Sequence, residues 1–284
     1  NKMKALVTGH KGYIGTHLCR ELTASGHEVM GIDLKDNEDI LEGYQEKHHN
    51  FKPDVIFHLA AIPRVQYSVE NPVHVMQNNI MAGSITLEFA KQVNAFVIYS
   101  SSSSVVGNGS GPASPYALSK LVTEQETLLY NELYGLKTVA LRYFNVYSED
   151  QKAEGPYATC VANWRRYIKE GKVPYITGDG EQRRDMAHVS DVVSANIFCM
   201  NNMNNNKLIG KYFNVGTGDN ISLNEMKNIV SNLLPRVEFE YVAERPGDVR
   251  LTKADISEFL SLGWKPEVNI VEGITDCFME FKDE

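Results

Sequence analysis

Tyr116 and Lys120 stand four residues apart in Tyr116-Ala117-Leu118-Ser119-Lys120, a spacing that puts a phenol and an ammonium on one face of a helix. A free tyrosine has a pKa of about 10 and is a poor base at neutral pH. A neighbouring cation favours the phenolate and brings proton transfer within reach of neutral pH. Such pairs are common on helix surfaces, so the spacing alone carries little weight. Just upstream lies a run of hydroxyls, Ser100–Ser104, where an apolar segment ends. One hydroxyl is enough for chemistry, and the rest are expected to be ordinary loop serines.

The second candidate is Thr8-Gly9-His10-Lys11-Gly12-Tyr13-Ile14-Gly15, which follows an apolar strand and opens a helix. Glycine is needed where the turn takes positive φ, where backbone approaches a pyrophosphate and where helix packs on strand. The helix N-terminus then presents amides and partial positive charge to phosphates. Asp33 ends the next apolar run at about the expected offset of 20 residues, placed to accept from ribose hydroxyls and to repel a 2′-phosphate. These features point to a dinucleotide, NAD rather than NADP. Lys11 and Lys35 argue the other way.

The elements that position these groups alternate short apolar runs with longer amphipathic ones, the pattern of a parallel sheet with crossover helices. Strands are predicted at Lys4–Val7, Glu28–Asp33, Val55–Leu59, Ala95–Ser100 and Lys137–Tyr143, with helices at Tyr13–Ala24, Pro72–Gln92 and Pro115–Tyr134. After Asn145 the pattern becomes mixed. Helices are predicted at Tyr157–Lys169, Asp191–Met200 and Leu223–Leu234, with strands near Val173–Ile176, Lys211–Gly216 and Val237–Val242. The expected fold is α/β: a Rossmann-type doubly wound parallel sheet with a small mixed α/β lobe. The expected division is 1–147 with about 186–217 for the dinucleotide domain, and 148–185 with 218–284 for the lobe.

Composition sets outer limits. The 284 residues carry a formal charge of −8, with 43% hydrophobic and 23% charged residues, ordinary values for a globular protein. No basic stripe exists to displace counterions from nucleic acid. No apolar run is long enough to span a bilayer, and no leader segment is apparent, so a cytoplasmic location is expected. Cys19, Cys160, Cys199 and Cys277 form no CxxC pair and read as reduced thiols, with no metal site.

Taken together, the motifs resemble the extended short-chain dehydrogenase/reductase family, in its NAD-dependent epimerase/dehydratase branch, and are most similar to UDP-sugar 4-epimerases. The resemblance runs through Thr8–Gly15, His58-Leu59-Ala60-Ala61, Ser100–Gly107, Tyr116–Lys120 and Leu141–Asn145. It continues through Gly178–Gly180, Arg184-Asp185, Asn214–Gly216 and Arg245–Asp248. It implies that Tyr116 is the base, Lys120 its partner and a nicotinamide-ribose ligand, and Ser102 the catalytic hydroxyl. It implies cofactor contacts from Gly9, Gly12, Tyr13, Ile14, Gly15, Asp33, Leu59, Ala60, Ala61 and Tyr143. Substrate contacts are implied for Asn79 and Ser102, for Asn145, Arg184 and Arg245 at the diphosphate, and for Asp248 at the nucleotide ribose. Arg64 and Arg250 are weaker candidates.

The resemblance also implies an activity. Dehydratases and decarboxylases of this branch place a carboxylate just after the catalytic hydroxyl, whereas this chain has Ser103 and Ser104. The expected function is therefore NAD-dependent 4-epimerisation of a nucleotide sugar through a 4-keto intermediate. The expected substrates are UDP-glucose/galactose or the N-acetylhexosamine equivalents, because Thr252 falls where a bulky tyrosine narrows the pocket in strict hexose enzymes. A keto-sugar-nucleotide reductase is the alternative, followed by a dehydratase or a non-catalytic binding protein. A homodimer through the helices Pro72–Gln92 and Pro115–Tyr134 is implied as well. Two departures stand out. The segment between Asp33 and Val55 is too short for the family's third strand, which should expose the adenine side of the cofactor pocket, and the stretch from Gly107 to Tyr116 is shortened.

Overall fold

The computed structural model describes residues 1–153, 158–246 and 248–284. The chain begins β1 (Lys4–Thr8), α1 (Tyr13–Ala24), β2 (Glu28–Ile32), α2 (Glu46–Phe51), β3 (Val55–His58), α3 (Val65–Glu70), α4 (Pro72–Val93) and β4 (Phe96–Ser102). It continues α5 (Pro115–Tyr134), β5 (Thr138–Tyr143), β6 (Val146–Tyr147), α6 (Cys160–Lys169), β7 (Tyr175–Thr177), β8 (Arg183–Arg184), β9 (Ala187–His188), α7 (Val189–Asn201) and β10 (Lys211–Val215). The last elements are β11 (Ile221–Ser222), α8 (Leu223–Leu233), β12 (Glu240–Val242), α9 (Ser257–Leu262) and α10 (Ile270–Phe278). The predicted helix start at Tyr157 falls outside the described residues.

Six strands form one parallel sheet in the order β10-β5-β4-β3-β1-β2. Alternation along each strand builds its two faces. Ala5, Val7, Phe57 and Ile98 pack with Leu18 and Leu22 of α1 and Val192 of α7. Leu6, Ile56 and Val97 pack the other way, onto Leu87 and Ala90 of α4. Because β2 lies on one side of β1 and β3 on the other, the sheet reverses direction there, leaving a crevice at the carboxyl ends of β1 and β3.

β2 is the edge of the sheet, so the strand judged missing from the sequence is absent. Residues 34–42 form two single turns, and Ile40 packs with Ile32 and Ala82. Tyr44 stacks on Phe89 at 4.1 Å and hydrogen-bonds Thr86 at 2.8 Å. A short loop with one apolar anchor and one aromatic anchor thus covers ground that a strand would have covered.

Helix α5, which carries Tyr116 and Lys120, is bounded by local chemistry. Ser114 caps it, accepting from the Ala117 N–H at 3.1 Å, Pro115 occupies the first turn, and Gly135 ends it at φ +68°. Below it, Glu124 accepts two hydrogen bonds from Arg142 of β5, at 2.8 and 2.7 Å, and one from Ser101 at 2.9 Å.

A second core gathers Tyr147, Trp164, Ile176, Met226, Val230 and Phe278 under α6, α8 and α10. The expected division assigned all of 218–284 to this lobe. Instead, Ala254, Ile256, Phe259 and Trp264 pack into the core of the large sheet, because α9 lies beside β10 at the sheet edge. Asp185, fully buried, ties the regions together by accepting from the Thr217, Gly218 and Ala254 amides at 2.9–3.0 Å.

Glu124 is buried and Arg142 half-buried, so removing the carboxylate leaves a partly buried guanidinium without its partner. Glu124→Ala should lower the unfolding free energy by about 3 kcal/mol, read by urea denaturation.

Candidate functional site

The carboxyl end of β4 brings the proton-transfer candidates together. The Lys120 ammonium, on a residue only 5% exposed, donates to the Ser100 carbonyl at 2.7 Å and lies 5.9 Å from the centre of the Tyr116 ring. Burial lowers the lysine pKa to about 8. Ser102 ends the strand. Its oxygen accepts from the Ser104 hydroxyl at 2.8 Å and the Ser104 amide at 3.1 Å, which directs its own hydrogen outward. Ser102 stands near enough to the Tyr116 phenol to lower its pKa.

The phenol's electrostatics differ from the sequence expectation. Burial raises the Tyr116 pKa, while the Ser102 hydrogen bond and the Arg64 cation pull it down, and the balance lies above the ordinary value. Lys120 is close, but its charge is directed to a backbone carbonyl. The nearby His58 stays neutral, its pKa lowered to about 3 by burial first and by Lys120 second.

The glycine loop forms a second cluster. Gly9 turns at φ +69°, and a Cβ on Gly15 would sit 2.2 Å from the Gly9 carbonyl oxygen. Gly12 is the N-cap of α1 and supplies no side-chain cap, so the first-turn amides face outward. A cavity of about 270 Å³ runs from here past Asp33 to Leu59, Ala60 and Ala61. Thr8 shapes that wall: its Oγ1 accepts from the Leu59 and Ala60 amides, both at 3.0 Å, and pairs with His58 Nδ1 at 2.8 Å. Sequence reasoning gave Thr8 no role, although its place between strand and glycine turn was a signal. Asp33 accepts from the Lys11 amide at 3.0 Å. The lysines that argued for a 2′-phosphate are engaged, Lys11 with Asp36 and Lys35 with the Lys11 carbonyl. Bare amides, a close-packed glycine and a carboxylate at the cavity rim fit a dinucleotide without a 2′-phosphate.

The lobe holds a third cluster. A cavity of about 250 Å³ is lined by Asn145, Arg184, Arg245 and Asp248, with Trp164 and Tyr175 as aromatic walls that the sequence did not reveal. Arg245 donates to the Tyr175 hydroxyl at 3.1 Å, and Arg184 lies 3.9 Å from Asp248. Asn145, at φ +33°, donates to the Asp185 carbonyl at 2.8 Å and to Thr252 at 3.3 Å.

Several expected ligands stand elsewhere. Tyr143 lies in the main core, its hydroxyl bonded to Ser100 at 2.5 Å and Asn196 at 2.8 Å, because its strand position faces α7 and not the crevice. Asn79 is 4% exposed, and its amide is spent on the Ile62 N–H and carbonyl and on Ser119. It therefore holds the loop after β3 and is not placed to meet substrate. The Tyr13 side chain pairs with Ser148 and packs edge-on against His17, and Ile14 joins the core, so only their backbones face the loop. The Thr252 hydroxyl accepts from Asn145 and from the Asp185 amide. Arg250 forms a two-pronged ion pair with Asp179, both bonds at 2.9 Å, outside the lobe cavity.

The fold and these clusters define an NAD-dependent enzyme of the extended short-chain dehydrogenase/reductase type. The chain belongs to the NAD dependent epimerase/dehydratase family, whose model matches residues 5–216. It is 34% identical to a putative UDP-glucose 4-epimerase of Methanocaldococcus jannaschii over 95% of both chains. The UDP-glucose 4-epimerase of Thermotoga maritima, solved with UDP-glucose, superposes with a TM-score of 0.88 at 30% identity over 99% of both chains. A UDP-N-acetylglucosamine 4-epimerase of Methanobrevibacter ruminantium, solved with UDP-N-acetylmuramic acid, gives the same TM-score and identity over the full length of both chains. At 28% identity the chain also matches a UDP-N-acetyl-alpha-D-glucosaminuronate decarboxylase of Bacillus cytotoxicus. Among the described residues no helix is long and apolar enough to cross a membrane.

Replacing Thr8 by valine keeps the side chain's shape but leaves two amides of the cavity wall without an acceptor. Thr8→Val should cost about 2 kcal/mol of stability and weaken NAD retention roughly tenfold. Both are measurable, by denaturation and by NAD titration.

Proposed function

We propose that the protein inverts C4 of a UDP-hexose, with UDP-glucose/galactose and their N-acetylhexosamine equivalents as the candidate substrates. The observation that carries this reading is the arrangement at the end of β4. A hydroxyl, a phenol and an ammonium converge there, and the two positions after Ser102 are serines, of which Ser104 donates to Ser102 through its hydroxyl and its amide. Elimination or decarboxylation in this branch uses a carboxylate at that point. Epimerisation does not require one.

In this reading Tyr116 takes the proton of the 4-hydroxyl and Ser102 steadies the same oxygen with its outward hydrogen. Lys120 fixes the local charge through the Ser100 carbonyl and reaches the nicotinamide ribose. Bound NAD would supply the acceptor and then the donor of the C4 hydride. The amides of Gly12 to Gly15 would hold the pyrophosphate, and Asp33 the adenosine ribose. In the lobe, Arg184 and Arg245 would clamp the diphosphate, since a guanidinium fork donates paired hydrogen bonds to phosphate. Asp248 would take the nucleotide ribose, while Trp164 and Tyr175 offer apolar faces to the base. Inversion needs the 4-keto sugar to turn between the two hydride steps, which suits tight diphosphate binding and a loosely held hexose. Thr252, by its small size, is the position on which acceptance of an N-acetyl group rests in this reading, although its hydroxyl is held by Asn145 and the Asp185 amide.

The lobe is taken as the substrate-binding unit and the sheet as the NAD-binding unit, with residues 254–264 moved to the latter. Dimerisation through α4 and α5 is part of the proposal. It is supported by Met81, Leu118, Leu129 and Leu133, which stand exposed on those two helices.

The first test is direct. Tyr116→Phe should abolish conversion of UDP-glucose and UDP-N-acetylglucosamine while the purified protein still carries NAD, and substantial residual epimerisation would refute the proposal. Arg184→Ala should weaken UDP binding by about ten- to a hundredfold, the range of one or two charged hydrogen bonds, with NAD content unchanged. Calorimetric titration with UDP reads this.

A further inference from the structure

Arg64 occupies a conformation that arginine rarely adopts, φ +86° and ψ 112°. Strain of this kind persists where neighbours over-determine it, and it clusters at sites of function. Both flanks of Arg64 are fixed. Two residues before it, Asn79 grips Ile62 by amide and carbonyl at 2.8 and 3.1 Å. After it, α3 begins, and the Arg64 carbonyl accepts from the Ser68 N–H at 3.2 Å. Ser68 Oγ in turn accepts from the Tyr116 N–H at 3.0 Å. Two hydrogen bonds therefore link the backbone of Arg64 to that of Tyr116.

The Arg64 side chain is half-buried, and among the described residues it forms no hydrogen bond or ion pair. The backbone links through Ser68 bring its charge within electrostatic reach of the Tyr116 phenol, where it opposes the effect of burial. Four groups act on that phenol: Lys120 of its own helix, 5.9 Å from the ring centre, Ser102 and Tyr99 from β4, and Arg64 from the start of α3. Tyr99 stays neutral, its pKa driven up by burial. Lys120 donates to a carbonyl, and burial brings its pKa to about 8, so its charge fades as the solution turns alkaline. A guanidinium keeps its proton throughout that range.

We propose that Arg64 is a positioning residue for the proton-transfer step, a permanent cation that the strained turn, tied to Tyr116 through Ser68, holds within reach of the phenol to stabilise its phenolate. The inference rests on the reading of Tyr116 as the base. It also accounts for Asn79, whose buried amide sets the turn that presents Arg64.

The test uses the NAD-loaded full chain. Ultraviolet titration of tyrosinate, taken as the difference from Tyr116→Phe, isolates the one phenol. Arg64→Gly removes the charge while accepting positive φ without strain, so it should fold at least as well as the parent. The cation favours the charged phenolate, so its loss should move the Tyr116 ionisation upward by roughly one pH unit. The acid limb of the kcat/KM profile should move by the same amount, and Arg64→Lys should restore most of the shift. An unchanged Tyr116 titration in Arg64→Gly overturns the proposal. Failure of the base reading looks different: Tyr116→Phe would keep its activity while the Arg64-dependent titration remained.

Discussion

The carboxyl end of β4 must satisfy a dense set of polar groups with almost no water, and the rest of the molecule is arranged around that constraint. Successive serines face opposite sides of the sheet. Ser100 offers its carbonyl to Lys120 and its hydroxyl to Tyr143, Ser101 turns to Glu124, and Ser102 is held by Ser104. Each bond answers a group that would be costly to bury alone. Because the partners come from α5 and β5, and Tyr143 of β5 in turn accepts from Asn196 of α7, the strand end links helices on both faces. One hydroxyl, that of Ser102, is left with a hydrogen directed outward.

Two cavities flank this anchor and come from different parts of the architecture. The cofactor cavity belongs to the sheet, at the point where the strand order reverses between β1 and β3. The lobe cavity belongs to the smaller core beneath α6 and α8. Asp185 couples them mechanically: by accepting from Thr217, Gly218 and Ala254 it pins the end of β10 and the strand-like stretch after Arg250 to the loop that carries Arg184. A Cβ on Gly216 would come within 2.8 Å of that carboxylate, so the glycine is set by packing against Asp185. Motifs that seem to announce ligands thus divide into those that line cavities and those that hold cavity walls in place.

The shortened segment after Asp33 shows how little is needed to close an edge. Ile40 and Tyr44 each pack one side chain onto existing core, and the stretch between the two single turns brings Glu38 and Asp39 to the rim of the sheet cavity. A minimal loop can replace a strand because the covered surface is small and β2 still has its partner on the inner side.

Periodicity, glycine placement and capping residues determined the sheet strands, α1, α4 and α5 almost to the residue, because those signals are local. The glycine loop, Asp33 and the Tyr116–Lys120 pair were legible for the same reason: their geometry is set within one turn or one strand crossover. Tertiary structure alone decided which polar residues are free. Tyr143 and Asn79 match ligand positions in sequence but are consumed by Ser100, Asn196 and Ile62, partners far away along the chain. Ala254, Ile256, Phe259 and Trp264 packed into the core of the large sheet because α9 lies beside β10, a choice that no local pattern encodes. The charge environment of Tyr116 was decided in the same way. Burial raised its pKa and an arginine from another loop opposed that rise, and neither effect can be seen until the chain has folded.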